Sequence, residues 1–542
     1  MSKRVEGASL AIHKFAWTIP LLLTIVVAVP VCLQIHNLGI YPDAVNPDYL
    51  AIRMLHKHAD TVAWVLPGNY LGNRFPVLAG GLYHGSLHAY LALPFILFGA
   101  SVESFQISHL FLAFLVATVL FALLRRLSGS LALATAVCAL ALLDPAFLYI
   151  FFTQAYITTF PDFFILLACH LLLNDTETAS VKGRYFCIGG LLGLAIWGYF
   201  IFTFFLPGFF SLPWIERRRG DATLGKILFL GLGVACGCGL YGLGYGLLFH
   251  ELGLQGGFDW LSEVLGNMRQ LQVTSGSGLV DRLAYTSRMT LFVLTGAWHA
   301  TTIFAVGDMS VFEMVKAGVL LVTPIAALPF AGGDALAARG FRVIGIALLS
   351  FWAVALGFGH MLAGHHYCAL VPILYCLFGA SLVLLGQRIT LASRGLRTSA
   401  LGGLLAAVAA INVFYLETFS WRIYNGESAR LYSHEVNAYP SAERKRGGAY
   451  THVFMNWGEI LPFVYLTKGK MPVYDDQQLP ALLCESKPLK LLFTKDNAVE
   501  LAKATLDRLK LTGTIELLSP PANPYQFVVA TVEAPTTPRC GG

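Results

Sequence analysis

Residues 39–60 read GIYPDAVNPDYLAIRMLHKHAD, and residues 74–91 read RFPVLAGGLYHGSLHAYL. They belong to a polar break, Leu38 to His88, that follows an apolar run from about Phe15 to Ile35. That run is long enough to cross a bilayer. A loop between two membrane helices needs only a few residues. This one spends about fifty, among them Asp43, Asp48, Arg53, His56, His58, Asp60, Arg74, His84 and His88. Titratable side chains gathered beside a membrane are costly and by default mark function. The stretch therefore predicts a membrane frame that holds a reactive loop against a lipid-borne substrate.

Composition agrees. The chain has 542 residues, of which 56% are hydrophobic and 13% charged, and its mean hydropathy is +0.65. Soluble proteins carry about 25% charged residues, so most of this chain is no soluble domain. The formal charge of +6 comes from basic residues in short loops between apolar runs. That is the positive-inside pattern, not a nucleic-acid surface. Lys3 and Arg4 precede the first run, which is too long for a signal peptide and lacks a small-residue cleavage site, so it is kept as an uncleaved helix.

Apolar runs near 15–35, 104–124, 130–150, 157–173, 224–249, 310–331, 341–359, 366–386 and 399–416, with a proline-broken pair in 185–214, predict about eleven crossings. The expected fold is an all-α multi-spanning membrane module over 1–416, with outer loops 36–103 and 251–309, and a small extracytoplasmic α/β domain over 417–542. Placing Arg125-Arg126, Lys182, Arg217–Arg219, Arg339, Arg342, Arg388 and Arg394 on one side makes the N-terminus cytoplasmic in a cell (inner) membrane. The apolar segment 289–307 must then stay outside, on or dipping into the membrane. DYLAIRMLHKHAD reads as a short amphipathic helix at the interface, and 89–99, with Pro94, as interfacial or re-entrant.

In the tail, KLLFTK, DNAVELAKATLDRLKL, GTIELL and YQFVVATVE read as strand, helix, strand and strand. Asp496 or Asn497 is the expected N-cap and Gly513 the expected stop. Most of the ten cysteines lie in apolar runs as small fillers. Cys484 and Cys540 lie in the tail, and the sequence leaves their pairing open.

Three acids stand at the ends of membrane segments: Asp43 and Asp48 after the first, and Asp162 in TQAYITTFPDFF. A carboxylate at the aqueous edge of a bilayer can act as general base on a hydroxyl, and burial raises its pKa toward the useful range. The plainer readings are a solvated acid or a helix cap, and Asp162, after Pro161, has good N-cap placement. Arg53, Arg74, Arg288, His84, His88, His365 and His366 fall on the same side. Cations there suit a lipid phosphate, since arginine's fork of donors pairs with phosphate oxygens. Snorkelling or ordinary headgroup contact is the plainer alternative. The pair His365-His366 has no metal-ligand spacing, so no metal site is expected.

The order of these segments resembles the GT-C membrane glycosyltransferases, in particular the protein O-mannosyltransferase and lipid A aminoarabinose transferase superfamily. NPDYLAIRML resembles the family's first outer loop, with Asp48 in the position of the catalytic Asp and Tyr49 where the family often has Glu. YHGSLHAYLALPFILFGAS (83–101) is similar to the next family stretch, and FFTQAYITTFPDFFILLAC carries a second acid, Asp162. HHYCALVPIL resembles the start of a late helix near the lipid phosphate, with Tyr367 in the family's tyrosine position. NWGEILPFVYLTKGKMPVY (456–474) resembles the domain after the last helix of bacterial members.

The resemblance implies transfer of a hexosyl or pentosyl unit from a polyprenyl-phosphate donor to a lipid, polysaccharide or protein hydroxyl at the outer face. Asp48 would be the base, with Asp162 and Asp43 supporting. Arg53, Arg74, His84, His88, Arg288, His365, His366 and Tyr367 would bind the substrate and its lipid phosphate. It requires no cofactor and leaves a divalent cation open. The competing expectation is a polytopic lipid or solute transporter. Transporters usually show a symmetric repeat and interrupted midplane helices, whereas here the polar residues gather on one loop.

Overall fold

The computed structural model describes residues 17–34, 36–55, 66–72, 74–80, 82, 84–174, 180–215, 223–273, 278–307, 309–388, 394–428, 432–447, 449–456, 460–485, 487–519 and 526–533. Helix α1 (Thr18–Cys32) leads into α2 (Pro42–Leu55). Two short hairpins follow: β1 (Tyr70–Leu71) with β2 (Phe75–Pro76), and β3 (Leu78–Ala79) with β4 (His84–Gly85). The membrane part continues through α3 (Leu87–Ile96), α4 (Val102–Ser128), α5 (Leu131–Leu143), α6 (Asp162–Leu172), α7 (Val181–Gly198), α8 (Leu206–Ile215), α9 (Thr223–Gly237) and α10 (Gly239–Val273). It closes with α11 (Leu279–Leu294), α12 (Ala297–Phe304), α13 (Val311–Ala327), α14 (Leu336–Phe358), α15 (Leu370–Arg388) and α16 (Arg394–Tyr424).

The helix limits follow local chemistry. Ser101 and Ser104 cap α4 reciprocally, side chain to backbone N–H at 2.9 and 3.1 Å. Gly129, with φ +63°, ends that helix in the left-handed conformation glycine tolerates. Ser310 and Glu313 form the same reciprocal cap on α13.

Among the described residues, six helices are long and apolar enough to cross a membrane, or eight if two bent pairs each count as one crossing. The bends are 72° after α5 and 50° between α9 and α10. The chain is thus a multi-pass membrane protein by its helices, with fewer full-length crossings than the eleven expected. The difference lies in short helices such as the 15-residue α1 and in broken ones. Segment 289–307 does not form one helix: it breaks at Gly296, φ +86°. The expected outer loop 251–309 is itself helical, and α10 enters it without a stop, kinking at Gly253.

Helix α16 runs unbroken through residue 416 to Tyr424. Helix α2 is covered by protein on more than one side. Val45, Leu50, Ala51 and Ile52 are fully buried, because the tail supplies a lid for its second side. That lid is α18 (Ile460–Thr467), all eight of whose residues are buried and which packs on α2.

After α17 (Glu435–Arg446), the tail forms one mixed sheet in the order β6-β5-β7-β9-β8. β5 (Thr451–Phe454) runs parallel to β6 (Val473–Asp475) and β7 (Leu489–Lys495). β9 (Gln526–Val532) is antiparallel to β7 and to β8 (Gly513–Leu517), with Leu491 opposite Ala530. Helix α19 (Ala498–Arg508) covers one face, closing a core of Val453, Leu491, Phe493, Ala502 and Val528. The strand–helix–strand–strand order thus stands in the structure as read. The cap residue Asn497 makes no side-chain cap bond, and Gly513 opens β8 and does not stop the helix, which ends at Arg508. Cys540 lies outside the described residues. Glu443 of α17 ties the layers together: it accepts from His452 at 3.1 Å, Lys490 at 2.7 Å and Arg446 at 2.8 Å. Burial alone would raise its carboxyl, but the bonds from His452 and Lys490 outweigh it and hold the pKa down at about 2.

Deep in the helical bundle sits an ion pair that the sequence did not announce. Lys316 of α13 donates to Asp144 at 2.8 Å, and both are sealed from solvent. Asp144 also accepts from Tyr375 at 2.6 Å and from the Ala146 N–H at 2.8 Å. Asn412 donates to Tyr375 and to the Leu140 carbonyl. One carboxylate therefore joins α5, α13, α15 and α16. Removing one partner of a buried pair strands the other charge. Lys316→Met is expected to destabilise the protein by about 3 kcal/mol or more, read as a lowered thermal midpoint in detergent, and Asp144→Asn in the same chain should recover part of the loss.

Candidate active site

Asp43 and Asp48 stand five positions apart on α2, and the structure gives them different surroundings. Asp48 faces inward, with 1% of its surface exposed. Its Oδ2 lies 2.9 Å from His109 Nε2, and its Oδ1 accepts from the Tyr156 hydroxyl at 3.1 Å. His109 Nδ1 donates to the Phe151 carbonyl at 2.8 Å, so Nε2 and Asp48 share one proton between them. Burial raises the Asp48 carboxyl, against the bonds from His109 and Tyr156. The His109 ring lies 4.0 Å from Phe105 and 4.1 Å from Tyr156, centre to centre. Tyr465 of α18 closes the top, its ring 5.8 Å from Phe105 and its hydroxyl 3.3 Å from Ser104. Both carboxylate oxygens have hydrogen-bond partners, and the described residues close the group to solvent.

Asp43 is only half-buried, in the first turn of α2. Burial pushes its carboxyl up to about 6. Asn46 follows three residues later, on the same helical face. Asn46 and His84 meet over Gly80: a Cβ there would lie 3.0 Å from Asn46 Nδ2 and 3.1 Å from His84 Cδ2. The Asp43 face of α2 thus looks toward the β3–β4 hairpin.

That hairpin brings the expected histidines together. His84 stacks on Tyr199 at 4.6 Å and bridges it through the backbone. The Tyr199 hydroxyl lies 3.1 Å from His366 Nε2, whose Nδ1 accepts from the Ala363 N–H at 3.0 Å. His365 lies against His366 at 3.9 Å, and its carbonyl accepts from Thr158. His88 meets Tyr156 and Phe160 edge-on at 5.1 and 5.5 Å. Burial holds His84 neutral, well below the usual histidine range, with His88 and His366 adding to the effect. Among the described residues no three His, Cys, Asp or Glu side chains converge as metal ligands.

The remaining expected residues separate. Asp162 is the first residue of α6 but not its cap, which is Pro161. Its carboxyl is completely buried, with no hydrogen bond from a described residue, so it does not stand at an aqueous edge. Tyr367 is buried and donates to Thr286 at 3.3 Å. Arg74 is exposed, 5.9 Å over the Phe75 ring, and Arg288 is exposed on α11. Neither joins the histidines. The Arg53 side chain lies outside the described part. The sequence overlooked His109, Tyr156 and Tyr199. For His109 a signal existed, since an ionisable residue within an apolar helix marks function by default.

No family model and no curated protein matches the sequence. Structures do. The crystal structure of ArnT from Cupriavidus metallidurans bound to undecaprenyl phosphate superposes with a TM-score of 0.58 and 14% identity, over 95% of this chain and 98% of that one. The chain has the ArnT fold. The same ArnT in its apo state gives 0.52 and 14%, over 94% and 97%. The fold expected from the motifs is thus the fold that the two superpositions give. The overlap with ArnT runs nearly end to end, so the tail domain is included in it.

Gly85 is what lets this site close. A Cβ there would lie 1.3 Å from the Trp197 carbonyl oxygen, inside any allowed contact. Gly85→Ala is expected to push β4 off the end of α7 and to cost about 3 kcal/mol or more. The check is the thermal midpoint together with loss of the His366–Tyr199 contact in a structure of the variant.

Proposed function

We propose that this protein transfers a sugar from a polyprenyl-phosphate donor to an acceptor hydroxyl at the outer face of the membrane, with Asp43 as general base. The carrying observation is Asp43 itself: a half-buried carboxylate with a pKa of about 6, on the face of α2 that looks toward the histidines. A base works best with a pKa near the operating pH and within reach of the proton it takes. Asp48, the base expected from sequence, has both oxygens engaged at 2.9 and 3.1 Å. We assign it the part of a positioning residue that holds α2 in place.

In the reaction, the acceptor oxygen forms a bond to the anomeric carbon while the bond from that carbon to the phosphate oxygen breaks. The bonding pair leaves with the phosphate, and the acceptor proton passes to the Asp43 carboxylate. Neutral His84 and the His366–Tyr199 pair offer N–H and O–H donors to the departing phosphate, and fixed donors of this kind stabilise developing charge in a site with little water. The ArnT structure holds undecaprenyl phosphate, which supports a polyprenyl-phosphate carrier here. The orientation that goes with this reading has the N-terminus cytoplasmic and the tail domain outside.

The test is transfer of label from polyprenyl-phosphate sugars to a membrane extract by the purified full-length protein. Asp43→Asn is expected to lower kcat about 100-fold or more without changing the thermal midpoint. Asp48→Asn is expected to lower the midpoint. Since the base acts as carboxylate, rate should rise with pH through about 6 and then level off. A fully active Asp43→Asn enzyme, or a folded Asp48→Asn enzyme with no activity, would overturn the assignment of the base.

A further inference from the structure

At the other end of α4 lies a second polar site. His109 and Arg125 are sixteen residues apart on this helix, or about 24 Å at the rise of an α-helix. There a cavity of about 490 Å³ opens between Trp17, Phe121, Ala122, Arg125, Arg126 and His170. The volume lies in the range of small-ligand pockets, about 300–1,000 Å³.

The polar wall is cationic and incompletely used. Arg126 is fixed, its Nη2 donating to the Leu173 carbonyl at 2.9 Å and to Asn174 at 3.0 Å. Arg125 Nη1 is buried and has no hydrogen-bond partner among the described residues, and the same holds for His170 Nδ1. A guanidinium nitrogen shut away from water without an acceptor is costly. The rest of the Arg125 side chain is part-exposed, so the guanidinium stands at the rim with Nη1 turned inward. The apolar part of the lining is Phe121 and Ala122, one turn before the arginines on the same face of α4. Trp17 stands at the mouth, half exposed, as tryptophans do at membrane interfaces. Such a site fits an anion that carries an apolar tail.

We propose that this cavity binds the phosphate of a membrane lipid, with Arg125 and Arg126 on the phosphate oxygens and the acyl or prenyl chain leaving past Ala122 and Trp17. Guanidinium donors match phosphate oxygens in pairs. The site is independent of the transfer chemistry proposed above, since it shares no residue with the α2 end.

The full-length protein, delipidated in detergent, would be titrated with phosphatidylglycerol, a polyprenyl phosphate, phosphatidylcholine and inorganic phosphate. Bound lipid would be read by native mass spectrometry and protection by thermal shift. Wild type is expected to retain an anionic lipid about tenfold better than phosphatidylcholine, an energy in the range of one charge-assisted contact. Arg125→Gln should lose that preference. Ala122→Trp fills the cavity with its charges intact and should lose it too, which keeps the test open if the arginine variant folds poorly. An Arg125-dependent fraction seen with phosphatidylglycerol alone, or with polyprenyl phosphate alone, supports the site and names the source. Equal protection by inorganic phosphate would overturn the lipid assignment, and an unchanged preference in both variants would overturn the site.

Discussion

The contact between Asp48 and His109, 2.9 Å long and closed to water, fixes how α2 stands against the bundle. It joins α2 to α4, and the Tyr156 hydroxyl draws in the turn before α6. A charge or shared proton in so dry a place is tolerated only when its partners are complete. Here they are, down to the Phe151 carbonyl behind His109. With α2 held in this way, its Asn46 meets His84 over Gly80. In the proposed reaction the sealed acid would set the position of the half-buried one, Asp43.

The tail contributes to the same end. Helix α18 is buried along its whole length against the membrane module, and Tyr465 covers the Asp48–His109 pair from above. Glu443, with His452, Lys490 and Arg446, holds the tail's own layers together. The tail is therefore a structural wall of the site and not an appendage. Further down, the Asp144–Lys316 pair plays the corresponding part in the bundle, joining four helices through one carboxylate.

Much of this could be read in the residues. The long polar break after the first apolar run marked α2 and the hairpins, and His84, His88, His365 and His366 do meet although nearly three hundred residues of chain separate the two pairs. The strands and helix of the tail from Leu489 onward followed their patterns. The different exposure of Asp43 and Asp48 was not legible, because a motif shows spacing and not burial: which of two acids on one helix is sealed depends on α4, Tyr156 and α18. The cover over the second side of α2 was not legible for the same reason, since it comes from a helix four hundred residues away. Arg74 and Arg288 were grouped by membrane side alone, and side does not bring residues into contact. Lys316 and Asp144 stand inside apolar runs, where a charge has to find a partner, but spacing alone does not say which.

The most direct test of the account is a cryo-electron microscopy structure of the full-length protein with a polyprenyl phosphate bound. The account predicts phosphate density between the first turn of α2 and the His84–Tyr199–His366 group, within hydrogen-bond reach of the histidines, with the prenyl chain running down the helical bundle. Phosphate density absent from that end in a saturated sample, or lying only in the cavity beside Arg125, would contradict it.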